Sequence, residues 1–289
     1  MGDGQLFKLS MKRIIPRLDI KGPNLVKGIH LEGLRVLGSP EIFAQHYYEN
    51  GADEIIFQDV VASLFERNSL HEIISRTAKN IFIPITVGGG IRTIEDIHGV
   101  LRAGADKVSL NTAVVRNPSF IEKAARMFGS STIVVAIEAI KKKDGDYYAF
   151  TDNGREETTL EVASWAEQIT ALGAGEIVIT SVDRDGTSLG YDIELLQKVK
   201  SATTISVVAH GGASDFENIK GAMEHADAIA IGSALHYHSY DKIQDKFNQE
   251  SEGNISFLTS KKTFKKVKTF SIPTLKNYLA DQKIIHRPV

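Results

Sequence analysis

The sequence predicts an α/β fold of the (β/α)8 TIM-barrel class, built from two similar half-barrels. Eight runs rich in Val and Ile occur along the 289 residues, and most lack the strict alternation of a half-solvated strand. That pattern is typical of parallel strands covered by helices. Helical stretches separate the runs, and features of the first half recur about 120 positions later. A doubly wound open sheet is the alternative fold, but it does not explain the recurrence.

The predicted strands alternate with about eight helices whose ends carry recognisable signals. In chain order the strands are Arg13–Ile20, Glu54–Asp59, Phe82–Val87, Lys107–Leu110, Thr132–Glu138, Glu176–Ser181, Ile205–Ala209 and Ala226–Ile231. A cap residue before a proline marks two helix starts, at Ser39 and Asn117. Capping boxes are predicted at Thr93 with Asp96, Thr158 with Glu161, and Ser214 with Glu217. Helix ends are expected at Gly51, Gly104, Gly129 and Gly173.

Four pairs of segments keep nearly the same separation and the same order, which favours a duplicated half-barrel. They are Leu18–Asp19 with Ile137–Glu138, Gly51–Ile56 with Gly173–Val178, Gly88–Gly90 with Gly211–Ala213, and Ala105–Val108 with Ala226–Ile229. The third pair is a glycine turn between an apolar run and a helix start. Such a turn lets backbone N–H groups approach an anion, and the helix N-terminus adds partial positive charge. Two equivalent turns predict a ligand with two phosphates; a tight connection without a ligand is the alternative.

Two acidic residues stand at the ends of symmetry-related strands. Asp19 ends the first predicted strand and Glu138 ends the fifth. Active sites of these barrels lie at the C-terminal ends of strands, and an unpaired buried carboxylate is costly. We therefore expect the two carboxylates to face each other as a general acid and base. Anchoring of loops by hydrogen bonds is the alternative role.

Bulk composition excludes several classes of protein. The net charge of −2 gives no reason to expect nucleic acid or an anionic membrane as a partner. The chain has no cysteine, which excludes disulfides and thiolate metal ligands and is consistent with a reducing cytoplasm. No apolar run is long enough to predict a membrane span. The histidines show no metal-ligand spacing, so neither a metal nor another cofactor is expected.

Three segments fall outside the repeat. Residues 1–10 are expected to be a short arm or a remnant of cloning, with one barrel domain over 11–289. Lys141–Asp152 is predicted to be a hairpin after the fifth strand, with Asp144 and Gly145 at its turn. A polar, lysine-rich insertion is expected at about 241–268, before the final helix; it is interpreted as a solvated face, or alternatively as a lid over the site.

Several motifs resemble the cyclase subunit of imidazole glycerol phosphate synthase. They are Arg13–Lys21, Val26–Gly28, Thr86–Ile91, Gly104–Thr112, Gly173–Glu176 and Thr180–Thr187. The resemblance implies closure of the imidazole ring in histidine biosynthesis. A doubly phosphorylated ribulosyl aminoimidazole carboxamide would react with ammonia from a glutaminase partner, giving imidazole glycerol phosphate and an aminoimidazole carboxamide ribotide.

The resemblance also implies roles for individual residues. Asp19 and Glu138 would be the catalytic carboxylates, and Lys27 would belong to a mobile first loop over the substrate. One phosphate would be bound by Gly90, Asn111 and Thr112. The other half-site would be lined by Asp185, Gly186, Gly212, Gly232 and Ser233, and Thr180 is a further expected substrate contact.

At the opposite face, the resemblance implies a ring of charges that gates ammonia entering from a docked glutaminase. Its members would be Arg13, Glu54, Lys107 and Glu176, and a purely structural salt-bridge ring is the alternative. Charges at the starts of four barrel strands require one another, because burying one alone is costly. Neither nucleic acid nor membrane is an expected partner.

Three residues at the active face depart from the family pattern. Glu138 stands in place of an aspartate, Arg17 in place of a small residue, and His210 in place of a serine. These departures leave open a second function, in which a similar ammonia-conducting barrel supports amidination of a bacterial surface sugar by a separate synthetase. A conduit and scaffold without catalysis of its own is a third possibility.

Overall fold

Eight parallel strands close into a barrel in the computed structural model, which describes residues 11–62, 70–246 and 267–289. In order around the barrel they are β1 (Arg13–Lys21), β4 (Ile55–Asp59), β5 (Ile85–Gly88), β6 (Lys107–Leu110), β7 (Ile133–Lys141), β10 (Glu176–Ser181), β11 (Ser206–His210) and β12 (Ala228–Ile231). Strand β12 pairs in parallel with β1 and completes the circle. The predicted (β/α)8 barrel is confirmed, and each predicted barrel strand is present.

Two antiparallel hairpins extend the barrel above its first and fifth strands. The first hairpin is β2 (Asn24–Ile29) with β3 (Glu32–Gly38), and the second is β8 (Tyr147–Thr151) with β9 (Glu156–Glu161). Strand β2 also pairs with β1, and β8 with β7, so the two halves carry the same addition at the same place. The predicted hairpin over Lys141–Asp152 is confirmed as the antiparallel pairing of the end of β7 with β8. The first hairpin was not predicted, and its position supports the duplication.

Helices cover the outside of the barrel. They are α1 (Pro40–Glu49), α2 (His71–Thr77), α3 (Ile94–Arg102), α4 (Thr112–Arg116), α5 (Ser119–Phe128), α6 (Val162–Ala171), α7 (Ile193–Ala202), α8 (Phe216–His225), α9 (Ser233–Ile243) and α10 (Ile272–Asp281). Short 3-10 turns occupy Ser130–Thr132 and Gln244–Lys246. The four glycines predicted to end helices all have positive φ angles, as expected for residues that reverse the chain after a helix.

The predicted helix starts are only partly correct. Thr93 and Asp96 form the expected capping box, and Ser39 precedes proline at the start of α1. The other two capping boxes are wrong. Asp215, rather than Ser214, caps α8 by accepting from the N–H of Asn218.

Near the fifth barrel strand, Thr158 lies in β9 and does not cap a helix, because this segment pairs with β8. Glu161 is itself the cap of α6, where it accepts from the N–H groups of Ala163 and Ser164. The expectation for Asn117 is off by one residue, since Pro118 is the cap of α5. Aspartate serves as a helix cap as readily as the hydroxyl residues that were favoured.

Side chains inside the barrel form three layers because alternate residues of each strand point inward. At the base lie four charged side chains. The middle layer is an apolar cluster of Ile15, Ile56, Val134, Val178, Val208, Ala228 and Ala230. Above it lie polar side chains at the C-terminal ends of the strands. The alternate residues of β1, such as Ile14, Leu18 and Ile20, point outward into the main core between strands and helices.

Some predictions concern segments that lie outside the described residues. The arm expected at residues 1–10 is one. The first residues of the insertion predicted at about 241–268 continue α9 and a short 3-10 turn to Lys246. Residues 247–266 are outside the described part of the chain. Among the described residues, no helix is long and apolar enough to cross a membrane.

Candidate active site

Five of the predicted site residues line a cavity of about 250 Å³ at the C-terminal ends of the barrel strands. Gly90, Asn111, Thr112, Glu138 and Thr180 all line it. Its wall also includes three arginines that the sequence analysis did not assign to the site: Arg17, Arg92 and Arg116. We call it the first half-site. Its mixture of backbone, hydroxyl and guanidinium groups suits an anionic ligand.

Five other predicted site residues line a second, smaller cavity of about 20 Å³. They are Asp185, Gly186, Gly212, Gly232 and Ser233. We call this cavity the second half-site. The two half-sites open at the same end of the barrel, since both are built from the C-terminal ends of parallel strands. The predicted residues thus divide into two sets as the repeat suggested.

Both glycine turns have backbone conformations that a side chain would disturb. Gly89 and Gly90 have φ angles of +100° and +71°, and Gly211 and Gly212 have φ angles of +95° and +97°. A Cβ atom on Gly89 would lie 2.3 Å from the carbonyl oxygen of Asp59. These positions therefore require glycine, and they leave bare backbone facing the cavities.

The repeat extends to the next strand of each half. Asn111 precedes α4 with φ −135° and ψ −92°, and Gly232 precedes α9 with φ −106° and ψ −91°. Thr112 and Ser233 follow as the first helical residues. Each half-site therefore combines a glycine turn with a hydroxyl residue at the start of the next helix, as expected for a duplicated anion cradle.

Glu138 is buried and lines the first half-site. One carboxylate oxygen, Oε2, accepts a hydrogen bond of 2.8 Å from the N–H of Gly154 in the second hairpin. Burial raises the pKa of Glu138 to about 7, although Arg17 and the Gly154 N–H act in the opposite direction. A carboxyl group with this pKa can both accept and release a proton near neutral pH.

Asp19 is buried among cations and does not line either half-site within the described residues. Its Oδ1 accepts from Arg17 Nε at 3.0 Å, and its Oδ2 lies 3.3 Å from Lys27 Nζ. Burial acts to raise the pKa of Asp19, but Arg17 and Lys27 together lower it below its usual value. Asp19 is therefore ionised at neutral pH. Arg17 lies in contact with Asp19 and lines the cavity that Glu138 opens into. The negative charge of Asp19 contributes to the raised pKa of Glu138, and the pairing of the two carboxylates as acid and base stays a prediction.

Lys27 lies in strand β2 of the first hairpin, which forms the connection from the first barrel strand to α1. That the connection moves over a substrate stays a prediction. The side chain of Lys27 is 1% exposed, and its Nζ donates to both oxygens of Asp185, at 2.8 and 3.1 Å. Burial acts to lower the pKa of Lys27, but Asp185 and Asp19 raise it overall, and the amine is charged. This ion pair joins the first hairpin to the second half-site.

The two hairpins meet above the mouth of the barrel. The side-chain amide of Asn153, in the second hairpin, donates to the carbonyl of Leu31 at the turn of the first, at 2.9 Å. The N–H of His30 donates to the carbonyl of Asp185 at 2.9 Å. Hairpins from opposite halves of the barrel thus form a roof over the half-sites.

The predicted charged ring is present at the base of the barrel. Arg13 donates to Glu54 at 2.5 Å and to Glu176 at 2.7 Å. Lys107 completes the ring with distances of 3.0 Å to Glu54 and 3.3 Å to Glu176. The hydroxyl of Ser206 donates to Glu176 and accepts from Arg13. Each charge therefore has two opposite neighbours, which compensates the cost of partial burial.

A model of the histidine biosynthesis protein family matches residues 13–241. The chain belongs to this family. A relative from Legionella pneumophila, named imidazole glycerol phosphate synthase subunit HisF, is 53% identical over 209 residues, which is 72% of this chain and 99% of the relative. The subunit of the same name from Hydrogenobaculum sp. (strain Y04AAS1) is 43% identical over 273 residues, covering 94% of this chain and 97% of the relative.

Arg17 and His210 had no predicted site role and stood only as departures from the family pattern. Arg17 is two residues before Asp19, which places both on the inner face of β1. His210 immediately precedes the second glycine turn and lines the second half-site. Arg116 carried no signal, because it lies in a short helix and reaches the cavity only through its long side chain. Among the described residues, no cluster of His, Asp and Glu is arranged to hold a metal ion.

Proposed function

We infer that this chain is the ammonia-using cyclase subunit of imidazole glycerol phosphate synthase. It converts a diphosphorylated ribulosyl aminoimidazole carboxamide into imidazole glycerol phosphate and an aminoimidazole carboxamide ribotide. The observation that carries the inference is the pair of duplicated anion half-sites at one barrel mouth, with two carboxylates of different pKa beside them. Membership of the histidine biosynthesis family and the names of its HisF relatives support it.

The two carboxylates are suited to different steps. Incorporating an ammonia nitrogen requires a base that removes protons and an acid that protonates a leaving oxygen. Glu138, with a pKa of about 7, can both accept and release a proton near neutral pH. Asp19 remains ionised and stabilises positive charge that develops near it. Lys27 anchors the first hairpin over the reacting substrate through Asp185.

The phosphates occupy the two half-sites. Gly90, Asn111 and Thr112 bind one phosphate, with Thr180 as a further contact. The other is bound by Gly186, Gly212, Gly232 and Ser233, with Asp185 positioned by Lys27. Arg92 and Arg116 add positive charge to the wall of the first half-site.

A glutaminase partner docks at the base of the barrel and delivers ammonia through the charged ring. Seven large apolar side chains are exposed among the described residues, and five of them lie towards the base of the barrel. They are Met11, Phe82, Met127, Ile285 and Val289. Met11 and Phe82 precede β1 and β5, and Ile285 and Val289 pack beside the same end of the barrel. Exposed apolar patches of this kind mark binding surfaces. The reaction takes place in the cytoplasm, and residues 11–289 act as one barrel domain.

The activity is tested with the purified chain, ammonium and the histidine-pathway substrate at alkaline pH, where free ammonia is available. Wild type is expected to turn over, and Asp19→Asn is expected to lose about 100-fold or more of the rate. Asp146→Asn is the matched control, because Asp146 is an exposed carboxylate in the turn between β7 and β8 that pairs with Lys198 at the surface. Absence of wild-type turnover, or equal rates in the two variants, would contradict the assignment.

The docking face is tested by charge insertion. Phe82 is 78% exposed at the base, and Leu189 is 68% exposed in the loop after β10 at the other end. Phe82→Glu is expected to abolish glutamine-dependent turnover with a glutaminase subunit while leaving ammonium-dependent turnover intact. Leu189→Glu is expected to leave the glutaminase interaction unchanged, and the reverse pattern would place the partner elsewhere.

One observation favours a second function, ammonia delivery to a separate synthetase that amidinates a surface sugar. Asp19 is enclosed by Arg17 and Lys27 and does not open onto a half-site, whereas the basal ring is intact. The same ammonium assay separates the two functions. A chain that binds a glutaminase but does not convert the histidine-pathway substrate would be a conduit.

A further inference from the structure

Arg17 forms the wall between the two half-sites. Its side chain lines the first half-site, and its guanidinium contacts His210, which lines the second. The residue is 4% exposed, so almost all of its surface faces protein or the cavity. Among the described residues, Arg17 is the one charged side chain that lines the first half-site and contacts both Asp19 and a residue of the second half-site.

The guanidinium of Arg17 has more N–H donors than acceptors among the described residues. Of its five N–H groups, Nε donates to Asp19 Oδ1 at 3.0 Å, and Nη1 donates to Thr180 Oγ1 at 3.0 Å and to His210 Nδ1 at 3.1 Å. For Nη2, the described residues supply no acceptor. Nη2 is not among the fully buried side-chain atoms that lack a partner, so it keeps accessible surface towards the cavity, where a water or a ligand can accept from it. Because Arg17 lines the first half-site, a ligand in that cavity is placed to do so.

The contact with Arg17 also defines the state of His210. The guanidinium nitrogen is always a donor, so His210 Nδ1 is the acceptor and its proton resides on Nε2. Burial, Arg17 and Lys27 together lower the pKa of His210, which keeps the ring neutral. Nε2 lies 3.8 Å from Asp185 Oδ1, too far for a hydrogen bond. His210 therefore presents an N–H group in the wall of the second half-site.

We propose that Arg17 is a substrate-positioning residue that joins the two half-sites. Its free Nη2 pair donates to an oxygen in the middle of the ligand, between the two phosphates, while Nη1 holds His210 as a donor to the second phosphate. The ligand class is therefore a bisphosphate with a carbonyl or hydroxyl oxygen in its central portion. This proposal rests on the proposed function, because it assumes that one ligand spans both half-sites.

The first experiment compares ligands that differ only in the middle. Binding of the histidine-pathway substrate and of an alkanediol bisphosphate of similar length is measured by calorimetry for wild type and Arg17→Lys. Lysine keeps the charge but loses the planar fork. The substrate is expected to bind about 10- to 100-fold more weakly to the variant, whereas the alkanediol bisphosphate, which lacks a central acceptor, changes much less. Arg126→Lys, at an exposed position on α5, is the matched control.

The outcomes separate the possible roles. Equal weakening of both ligands would make Arg17 a structural residue and overturn the proposal, as would no change in either. In steady-state kinetics, KM for the substrate should rise more than kcat falls. Turnover that is insensitive to Arg17 would leave the proposed function standing and reject this proposal. Arg17-dependent binding of the substrate without any turnover would support this proposal and reject the proposed function.

The second experiment reads the state of His210 directly. Nitrogen-15 NMR of labelled histidine distinguishes the two neutral tautomers, and His210→Gln assigns the signal. Wild type is expected to show the Nε2–H form, and Arg17→Met, which has similar length but no donors, is expected to show a mixture. An unchanged Nε2–H form in a folded Arg17→Met protein would refute the link between Arg17 and His210.

Discussion

Replacing Glu176 by glutamine removes one negative charge from the basal ring and keeps the shape of the side chain. Glu176 is 6% exposed and accepts from Arg13 at 2.7 Å, from Lys107 at 3.3 Å and from Ser206 at 3.0 Å. The change leaves two cations with Glu54 as their only carboxylate in the ring. Breaking a buried ion pair costs about 3–5 kcal/mol. The side chains of Arg13 and Lys107 are 22% and 18% exposed, so we expect about 2–4 kcal/mol here.

The measurement is equilibrium unfolding in urea near neutral pH. Glu122→Gln is the control, because Glu122 pairs with Arg126 on the exposed face of α5, where about 0–0.5 kcal/mol is expected. The effect should depend on pH. Burial acts to raise the pKa of Glu176, but Arg13 and Lys107 lower it overall below the ordinary 4.5.

Because the folded-state pKa is lowered, the charge of Glu176 stabilises the protein fully above about pH 4.5, and this contribution is lost as the pH falls through the folded-state pKa. The difference between wild type and Glu176→Gln should therefore shrink in acid. Two results would refute the argument that the charges of the ring depend on one another. One is a loss of unfolding free energy no larger than that of Glu122→Gln; the other is a loss that is the same at pH 4.5 and below as at neutral pH.

Three other changes have defined outcomes. Gly212→Ala should destabilise by about 3–5 kcal/mol in urea unfolding, because φ is +97° and the new Cβ would lie 2.2 Å from the Gly190 carbonyl oxygen. Gly129→Ala, with φ +86° but open space, should cost only about 1–2 kcal/mol; equal losses would contradict the steric argument. Glu138→Gln should abolish turnover yet stabilise the fold by up to about 3 kcal/mol above pH 7. Because the folded-state pKa of Glu138 is raised, its contribution to the stability of the fold is fully present below about pH 4.5 and is lost as the pH rises through about 7. Asn153→Ala should weaken substrate binding measurably, about two- to tenfold, through the roof contact with Leu31, as read by calorimetry, and an unchanged affinity would exclude that role.

The barrel was predictable because its signals are local. Runs of Val and Ile give the strands, and glycines at positive φ mark both the helix ends and the two anion turns. The charged ring was predicted from the family resemblance, and its members stand directly at the starts of strands. The antiparallel pairing of β7 with β8 was predictable from Asp144 and Gly145, because Gly145 adopts the φ of +92° that the turn between them requires.

The remainder depended on contacts that a local pattern does not contain. The first hairpin turns through His30 and Leu31, with φ angles of +53° and +62°, and neither is a residue type that predicts such a turn. Lys27 pairs with Asp185, 158 positions away, so its burial followed from the closed barrel and not from its neighbours in sequence. The enclosure of Asp19 was not predicted either. Arg17, which contacts Asp19, was noted only as a departure from the family pattern.

The bond between Asn153 and Leu31 has a mechanical consequence. Each hairpin grows from its own half of the barrel, so lifting either one away from the mouth must break their shared contact. Entry of one end of a ligand then loosens the cover over the other end. Two binding events encoded about 120 residues apart are thereby coupled without any subunit interface, and a molecule carrying a single phosphate gains only part of the stabilisation that a matched pair receives.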